Sequence, residues 1–480
     1  MKKYILIILC CLTSFPLWSY NVNMIVEHYS VDQGLPNNTV NCTLKDRDGF
    51  IWFGTWYGLC CFDGVKFKTF NKQEHDSDVP PRKIQRIVED KNGYIWVKTI
   101  DRKLYVFNKV TECFHAVYDD MKNYSENIQV IKLQNTAEGD VLLLTKDKNL
   151  LLAGVDEKGQ VTIKILFDSR DEINKHDYTL KHHVLCETEE YISWIGTDYK
   201  VSAVHKGAEL ASRPADFITS KINSGDKDSF TSFFEDGRKV WVGDRAGIFY
   251  SIDVRTGLVN RYVLSEIKGA ISNLLVTPAG YVYLSVAGQG TYEYDLAERR
   301  LQKINTEMND AMVTHAFIDQ YDKIWFHENE KALIYYDPLN HTAKRFPFTM
   351  FGKITTLYSE DAGERGLFFL SPAGEAWLFD REHAEMVYIN KLKQLSNDRA
   401  NQQFYHLMLD NDGVLWLSSA DEGVYCMNFP KKQFNLLSLS PQSAGQENYT
   451  IGVRALFQSK SGDIWVGTRW QSVYRMDRNG

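Results

Sequence analysis

Twelve aromatic and polar residues of this chain share one kind of position, the short turn between a second and a third predicted strand. Their side chains are indoles, phenols, guanidinium groups, carboxylates and an amide. Such groups stack on sugar rings or hydrogen-bond to hydroxyls, so the turns predict a ligand-binding surface. The candidate ligand-binding residues are Trp56, Tyr57, Asp101, Arg102, Asp198, Tyr199, Arg245, Gln289, Glu328, Asp421, Arg469 and Trp470.

Motifs for catalysis or for a cofactor are absent from the sequence. The 12 histidines have no metal-ligand spacing, and Gly288-Gln289-Gly290 lacks the lysine and helix of a phosphate loop. The run 410–413 reads as a turn, because it lacks the spaced acids of a calcium loop. The sequence therefore predicts no catalytic residue, no metal and no cofactor. A pair of catalytic carboxylates remains an alternative.

The elements that position these turns repeat along the whole chain. A turn containing Asp or Gly is followed by an apolar strand with a central tryptophan, as at Trp52, Trp96, Trp241, Trp416 and Trp465. The phrase returns about every 46 residues, which is typical of a β-propeller. The fold class is therefore predicted as all-β.

The first module shows how one repeat folds. Strands are predicted over 39–45, 50–55, 59–62 and 65–70, separated by tight turns, which makes a four-stranded antiparallel blade. In the second strand, Ile51 and Phe53 point to one face, whereas Trp52 and Gly54 point to the other. Both faces are apolar, so this sheet is expected to be stacked between two neighbouring sheets.

The number of modules determines the predicted domains. Nine full modules and a partial tenth exceed the ~4–8 blades of ordinary propellers. We predict a seven-bladed β-propeller of four-stranded antiparallel blades over 20–346, followed by the first blades of a second, incomplete propeller over 347–480. A single ring with more blades is the alternative. Whether the chain is a fragment of a longer protein also stays open.

The N-terminus and the charge limit the cellular setting. Lys2 and Lys3 precede an apolar run, which predicts a secretory signal peptide over 1–19; an uncleaved signal-anchor is the alternative. The net charge of −7 lacks the basic stripe of a nucleic-acid-binding protein. The remaining cysteines have no C-x-x-C spacing and are expected to be buried thiols.

Several of these segments resemble a known family. Residues 29–40, 46–55 and 58–64 are similar to the opening of two-component regulator propellers, and residues 453–469 resemble a repeat of the same family. The resemblance implies the periplasmic sensor of a hybrid two-component system of Bacteroidetes, in which two propellers precede a membrane helix, a histidine kinase and a DNA-binding domain. It also implies an oligosaccharide ligand, which in this family can lie between the two propellers.

Three functions follow as expectations. The first is a non-enzymatic, periplasmic sensor that binds an oligosaccharide and controls a histidine kinase and transcription regulator outside this chain. Contact with the inner membrane is then made only through a C-terminal region that this sequence lacks, and a homodimer stays open. The alternatives are a secreted propeller enzyme acting on glycans, which would release product, and a protein-interaction scaffold, which would ignore sugars.

Overall fold

The computed structural model of the chain describes nineteen stretches of sequence. They are residues 25–70, 81–121, 129–146, 149–167, 180–188, 190–196, 201–207, 217–220, 230–304, 313–328, 331–347, 358–361, 363, 366–371, 376–389, 404–428, 453–459, 463–469 and 473–476. The predicted signal peptide and three predicted site residues, Asp198, Tyr199 and Trp470, lie outside these stretches. Among the described residues, no helix has the length and apolarity needed to cross a bilayer.

The chain divides into two compact units, Met1–Phe429 and Pro430–Gly480. The described part of the first unit contains nine four-stranded antiparallel sheets, which we number as blades in chain order. Blade 1 consists of β2 (Val40–Lys45), β3 (Ile51–Thr55), β4 (Gly58–Phe62) and β5 (Phe67–Phe70), and blade 2 of β6 (Ile84–Glu89), β7 (Ile95–Thr99), β8 (Leu104–Asn108) and β9 (Cys113–Ala116). Blade 3 consists of β10 (Val130–Asn135), β11 (Val141–Thr145), β12 (Leu150–Val155) and β13 (Val161–Phe167), and blade 4 of β14 (Leu180–Glu187), β15 (Tyr191–Gly196), β16 (Val201–His205) and β17 (Phe217–Ser220).

The remaining blades of this unit follow the same plan, except that the ninth takes its fourth strand from the start of the chain. Blade 5 consists of β18 (Phe230–Glu235), β19 (Lys239–Asp244), β20 (Ile248–Asp253) and β21 (Val259–Val263), and blade 6 of β22 (Ile271–Val276), β23 (Tyr281–Val286), β24 (Gly290–Asp295) and β25 (Arg300–Lys303). Blade 7 consists of β26 (Val313–Ile318), β27 (Ile324–Glu328), β28 (Ala332–Asp337) and β29 (Thr342–Pro347), and blade 8 of β30 (Tyr358–Asp361), β31 (Leu367–Leu370), β32 (Ala376–Asp380) and β33 (Glu385–Ile389). Blade 9 consists of β34 (Phe404–Leu409), β35 (Leu415–Ser419), β36 (Val424–Asn428) and β1 (Ile25–Tyr29).

Little of the described chain is helical. A 3-10 turn over Val31–Gln33 begins at Ser30 with a capping box, and a short helix, α1, spans Tyr118–Met121. The Ser30 hydroxyl accepts the Asp32 amide, and the Gln33 side chain accepts the Ser30 amide, so the turn that connects blade 9 to blade 1 is held by its own side chains.

Each pair of neighbouring blades shares one apolar cluster. In the seam between blades 1 and 2, Trp52 and Leu59 pack against Ile84, Ile95 and Val97. Equivalent clusters join every successive pair as far as blades 8 and 9. The last cluster joins blade 9 to blade 1, where Trp416 and Val424 pack with Phe53 and Cys60. The nine described blades of this unit therefore form a closed cycle, as in a β-propeller.

The tryptophans lie where the sequence predicts them. Trp52, Trp96, Trp241, Trp325 and Trp416 are each no more than 5% exposed. The alternation predicted for the second strand of blade 1 is also confirmed, because Ile51 and Phe53 face blade 9 while Trp52 faces blade 2. An all-β propeller of four-stranded antiparallel blades is thus the observed architecture.

The predicted count of seven blades ending at residue 346 is not confirmed. Blades 7 and 8 share a cluster that includes Trp325, Phe346 and Trp377, so the packing continues through the predicted boundary. The division between compact units falls after Phe429 instead. The reason is the pairing of β1 with β36, in which Ile25 lies opposite Asn428; that long-range pairing closes the cycle and leaves no signal in a local repeat.

The second unit is described by one sheet of three strands. These are β37 (Val453–Gln458), β38 (Ile464–Thr468) and β39 (Val473–Met476), paired in that order. Its tryptophan, Trp465, is 38% exposed, and Leu456 and Phe457 are exposed as well. The same tryptophan motif is therefore present here without the burial that it has in blades 1 and 9.

Candidate functional site

The turn after the first strand of a blade is built around one aspartate. In blade 1, Asp46 Oδ1 accepts the amides of Asp48 (3.0 Å) and Phe50 (2.9 Å), and its Oδ2 accepts the indole N–H of Trp52 at 2.7 Å. The same indole bond recurs in four other blades: Trp96 to Asp90 at 2.9 Å, Trp241 to Asp236 at 2.7 Å, Trp325 to Asp319 at 3.2 Å and Trp416 to Asp410 at 3.1 Å. In each of these blades, the hydrogen bond between the turn aspartate and the tryptophan therefore joins the turn to the seam.

Between the turns of blades 1 and 2 lies an open cleft of about 810 Å³. Its apolar surface comes from Phe50 (41% exposed), Tyr94 and Val110, with Trp52 and Phe70 at its base. The polar lining residues are Arg47, Asp48, Asp63, Lys66, Lys68, Asn92, Asn108, Lys109, Thr111 and Glu112. A concave surface that combines aromatic side chains with convergent polar groups has the composition of a small-ligand site.

One lysine organises the charge of this cleft. Lys109 Nζ contacts three carboxylates, with distances of 3.1 Å to Asp46, 2.6 Å to Asp48 and 2.8 Å to Glu89. Burial alone would lower the pKa of Lys109, but the hydrogen bonds to Asp48, Glu89 and Asp46 outweigh it and raise this pKa. In turn, Lys109 lowers the pKa of the Asp48 carboxyl. Lys109 is therefore charged at neutral pH and neutralises part of the acidic cluster.

The same three carboxylates have the arrangement of a cation site. Their ligand oxygens lie within 4.8 Å of one another. The ammonium group of Lys109 lies among them and balances part of their charge.

Arg47 ties the two walls of the cleft together. Its amide and Nε donate to Glu89 at 2.9 and 3.1 Å, and its guanidinium donates to the backbone carbonyls of Asp90 and Lys91. Arg47 belongs to the turn of blade 1, and its partners belong to blade 2. The cleft is thus a gap between two turns whose separation is fixed by hydrogen bonds.

The predicted binding residues lie at the opposite end of the strands. Successive strands of a blade are antiparallel, so turns between the second and third strands are at the other edge from the turn of Asp46. There the turn of Trp56 and the turn of Asp101 and Arg102 are joined through Lys83, whose amide donates to Trp56 O and whose carbonyl accepts from Ile100. Tyr57, Arg245 and Asp421 are exposed in equivalent turns, and Arg469 is exposed in the second unit.

Two predicted site residues have structural partners. Gln289 accepts from the Lys268 amide at 2.7 Å and donates to Glu266 O at 3.1 Å, which fixes the entry to blade 6. Glu328 was expected in an exposed turn, but β27 extends to this residue and buries it to 4% exposure. Arg345 donates to Glu328 Oε2 at 3.1 and 2.9 Å, and this ion pair explains why a carboxylate is tolerated there.

The residues of the cleft were not among the predicted binding residues. The sequence pattern placed Phe50 only in the second strand of blade 1, and it indicated no binding role for Tyr94 and Lys109. A signal was present, because two consecutive modules have an aromatic residue directly after the turn glycine, at Gly49-Phe50 and Gly93-Tyr94. Phe50 is 41% exposed at this place, whereas Tyr94 is partly buried and packs against the seam between blades 2 and 3.

The closed cycle of four-stranded blades defines the class of the protein, a β-propeller. Residues 34–57 match the family model described as two component regulator propeller, so the resemblance inferred from the sequence is confirmed over this stretch. The matched residues include the turn of Asp46 and therefore one wall of the cleft. Among curated proteins, none matches the sequence.

Similar solved structures include two extracellular domains from B. thetaiotaomicron. That of the putative hybrid two component system BT4673 is 14% identical, with a TM-score of 0.38, over 90% of this chain and 68% of that chain. That of BT3049 is 15% identical, with a TM-score of 0.33, over 95% of this chain and 65% of that chain. A streptogramin B lyase structure is 12% identical, with a TM-score of 0.36, over 85% and 98% of the two chains. The chain thus spans about two thirds of the length of the two extracellular domains.

Proposed function

We propose that this chain is the ligand-sensing region of a regulatory system and that it binds an oligosaccharide in the cleft between blades 1 and 2. The observation that carries the proposal is the position of the matched family segment. Residues 34–57 supply Arg47, Asp48, Phe50 and Trp52 to the cleft. The part of the chain that carries a regulator repeat is therefore also the part that forms a concave surface.

The chemistry of the cleft favours a carbohydrate. Phe50 of blade 1 and Tyr94 of blade 2 are aromatic side chains that line the cleft, which suits stacking on the apolar face of a sugar ring. Carboxylates, lysines and amides surround them and suit hydroxyl groups as acceptors and donors. The volume of about 810 Å³ lies within the range of small-ligand pockets, roughly 300–1,000 Å³, and has room for a short oligosaccharide.

A binding experiment tests this assignment. The whole chain is titrated by calorimetry with a panel of neutral oligosaccharides, and the Phe50→Ala and Tyr94→Ala variants are titrated with any ligand found. Loss of one stacking side chain is expected to weaken binding about 2- to 10-fold. The matched control is Trp56→Ala, an exposed aromatic in a turn at the other end of blade 1. Weakening by the control alone would place the ligand on the originally predicted turns instead.

The same experiment separates a sensor from an enzyme or a scaffold. A sensor binds sugar and returns it unchanged, so chromatography of the titrated mixture is expected to show no new product. Release of product would instead support a glycan-acting enzyme. Failure of every oligosaccharide to bind would favour the scaffold function.

We further propose that the region is periplasmic and passes its signal to a histidine kinase outside these residues. Support comes from the regulator repeat and from the N-terminal sequence of two lysines followed by an apolar run. Export is tested by sequencing the N-terminus of the protein from the periplasmic fraction, which is expected to begin near Tyr20. A full-length N-terminus would point to the uncleaved anchor.

A further inference from the structure

In blades 1 and 5, one pair of facing residues on the first two strands is small. The third residue of the first strand lies opposite the residue two places after the tryptophan, as in Cys42 opposite Gly54 and Ser232 opposite Gly243. A Cβ at Gly54 would lie 2.4 Å from Cys42 Sγ and 2.5 Å from Ile84 Cγ2 of the next blade. The space around this pair is thus tightly filled, and a large side chain at this place has to be accommodated by its surroundings.

Blade 2 has two cations at the same register position. Arg86 lies opposite Lys98 in the register of β6 and β7, so both side chains project from the same face of the sheet. Lys98 is buried, at 6% exposure, whereas Arg86 is exposed. Like charges directly opposite each other destabilise a strand pair, so this arrangement has a cost in the folded protein.

The two cations have no acidic partner in the described part of the chain. Lys98 Nζ donates to Gln85 Oε1 at 2.8 Å and to the Ile131 carbonyl at 2.5 Å, and both acceptors are neutral. Among the described residues, no carboxylate lies within ion-pair distance of Lys98, Arg86 or Arg102. This differs from Lys109, which is in the same blade and contacts three carboxylates.

The charges of this cluster affect one another. Burial, followed by the charges of Arg102 and Arg86, lowers the pKa of Lys98 to about 8. On blade 9, burial and then the charge of Arg86 lower the pKa of His406 to about 4, and the Nδ1 atom of His406 is buried without a hydrogen-bond partner. The guanidinium of Arg86 is therefore an uncompensated charge near two inner strands.

We propose that Arg86 and Lys98, assisted by Arg102, bind an oxyanion group of a small ligand, either a carboxylate or a sulfate. An exposed guanidinium with no hydrogen-bond acceptor among the described residues suits two-point recognition of such a group, and the buried ammonium group supplies a second charge close by. An anion would supply the negative charge that the described side chains lack, and so offset the repulsion between the two strands. The site is separate from the cleft between blades 1 and 2 and does not depend on an oligosaccharide binding there.

The test uses the whole chain and three probes: sodium sulfate, glucuronate and glucose as the neutral comparison. Calorimetry at low ionic strength is carried out on the parent and on Arg86→Gln, Lys98→Met and Lys103→Met. The last variant removes an exposed lysine from the neighbouring turn and is the matched control. We expect saturable binding of sulfate or glucuronate that falls at least tenfold in Arg86→Gln and in Lys98→Met, with Lys103→Met like the parent.

A second readout keeps the test independent of folding defects. Sulfate is expected to raise the melting temperature of the parent and not of Arg86→Gln, whose exposed side chain is not needed for packing. Without ligand, Arg86→Gln is expected to melt above the parent, because the like-charge pair is removed. Tighter binding of glucuronate than of sulfate would identify a sugar carboxylate, and the reverse order an inorganic or ester sulfate; either supports the site. Absence of saturable binding, or equal binding by the parent and both variants, would overturn it. Neither result bears on binding of neutral sugars near Phe50.

Discussion

Replacing Trp52 by alanine tests whether the seams hold the propeller together. Trp52 is 3% exposed, and its ring lies 5.4 Å from that of Phe70 and 5.6 Å from that of Phe107 on the next blade. Truncation removes a large aromatic group from a filled seam, which costs about 3–5 kcal/mol. Asp46 keeps its hydrogen bonds to two turn amides and its ion pair with Lys109, so only the hydrogen bond from the indole is lost.

Two further variants separate the contribution of the indole hydrogen bond from that of ring packing and test the dependence on burial. Trp52→Phe keeps most of the ring packing but loses the indole bond to a carboxylate, and is expected to cost about 1.5–3 kcal/mol. Trp465→Ala is the matched control, because the same motif stands in the second unit with 38% of the side chain exposed. We expect that control to cost about 1 kcal/mol or less, since partly exposed side chains contribute little.

The measurement is equilibrium unfolding in urea followed by circular dichroism. The midpoint of the main transition is expected to fall in the order Trp465→Ala, Trp52→Phe, Trp52→Ala, with the slope unchanged. A midpoint for Trp52→Ala like that of the parent would refute the placement of the indole in the seam. Equal losses for Trp52→Ala and Trp465→Ala would also contradict it, because burial would then not determine the effect.

Three other variants test the charges and the packing of the first two blades. Lys98→Met is expected to stabilise the protein at pH 7 and to flatten its pH dependence. The pKa of Lys98 in the folded protein is about 8, below the ordinary 10.5, so the unfolded chain binds more protons than the folded chain between these pH values. The parent therefore gains stability as the pH rises through this window. Melting experiments at pH 7 and pH 10, with Arg86 and Arg102 left in place, measure both effects. Lys109→Met leaves three clustered carboxylates without their cation and is expected to cost about 1–3 kcal/mol by urea unfolding, reduced from the buried-pair range by partial exposure; no change in midpoint would contradict the role of the cluster. Gly54→Val is expected to destabilise by at least about 1–3 kcal/mol, because the two side chains facing it leave no room for a Cβ; a parent-like melt would show that the packing there can expand.

The local parts of the fold could be predicted because they depend on neighbouring residues. Neighbouring residues of a strand point to opposite faces, and accordingly the structure buries Cys60 in the seam with blade 9 and Cys61 in the seam with blade 2. The second-strand tryptophans were predicted in the seams for the same reason. What the sequence did not indicate is the bond between Asp46 and the indole, which explains why an aspartate precedes most of these tryptophans by five or six residues.

Closure and the site could not be predicted in the same way, because both depend on residues far apart in sequence. The last blade is completed by β1, about 400 residues from its partner strand, and any module in the repeat has the same local appearance at its edge. The cleft depends on which two turns face each other across a seam. Glu328 shows the converse case, since its polar side chain indicated an exposed turn until Arg345 was seen to neutralise it in a buried strand.

A comparison of seams separates binding from stability in the candidate site. At the seam between blades 7 and 8, Arg381 contacts Asp319 at 2.6 Å and Asp361 at 2.7 Å, which repeats the way Lys109 contacts Asp46 and Glu89. The acid–base cluster is therefore a structural device of the repeat, and its presence in the cleft is not evidence for a ligand.

The aromatic residues distinguish the two seams instead. The guanidinium of Arg381 lies 4.3 Å from the ring centroid of Tyr321, although 43% of Tyr321 remains exposed. Among the described cations, none lies over the ring of Phe50, which is 41% exposed beside the open cleft. A substitution that weakens sugar binding by disturbing Lys109 would thus report on the seam, whereas one at Phe50 that leaves the unfolding midpoint unchanged would report on the ligand. The pair of measurements, binding and unfolding on the same variant, is what assigns the cleft its role.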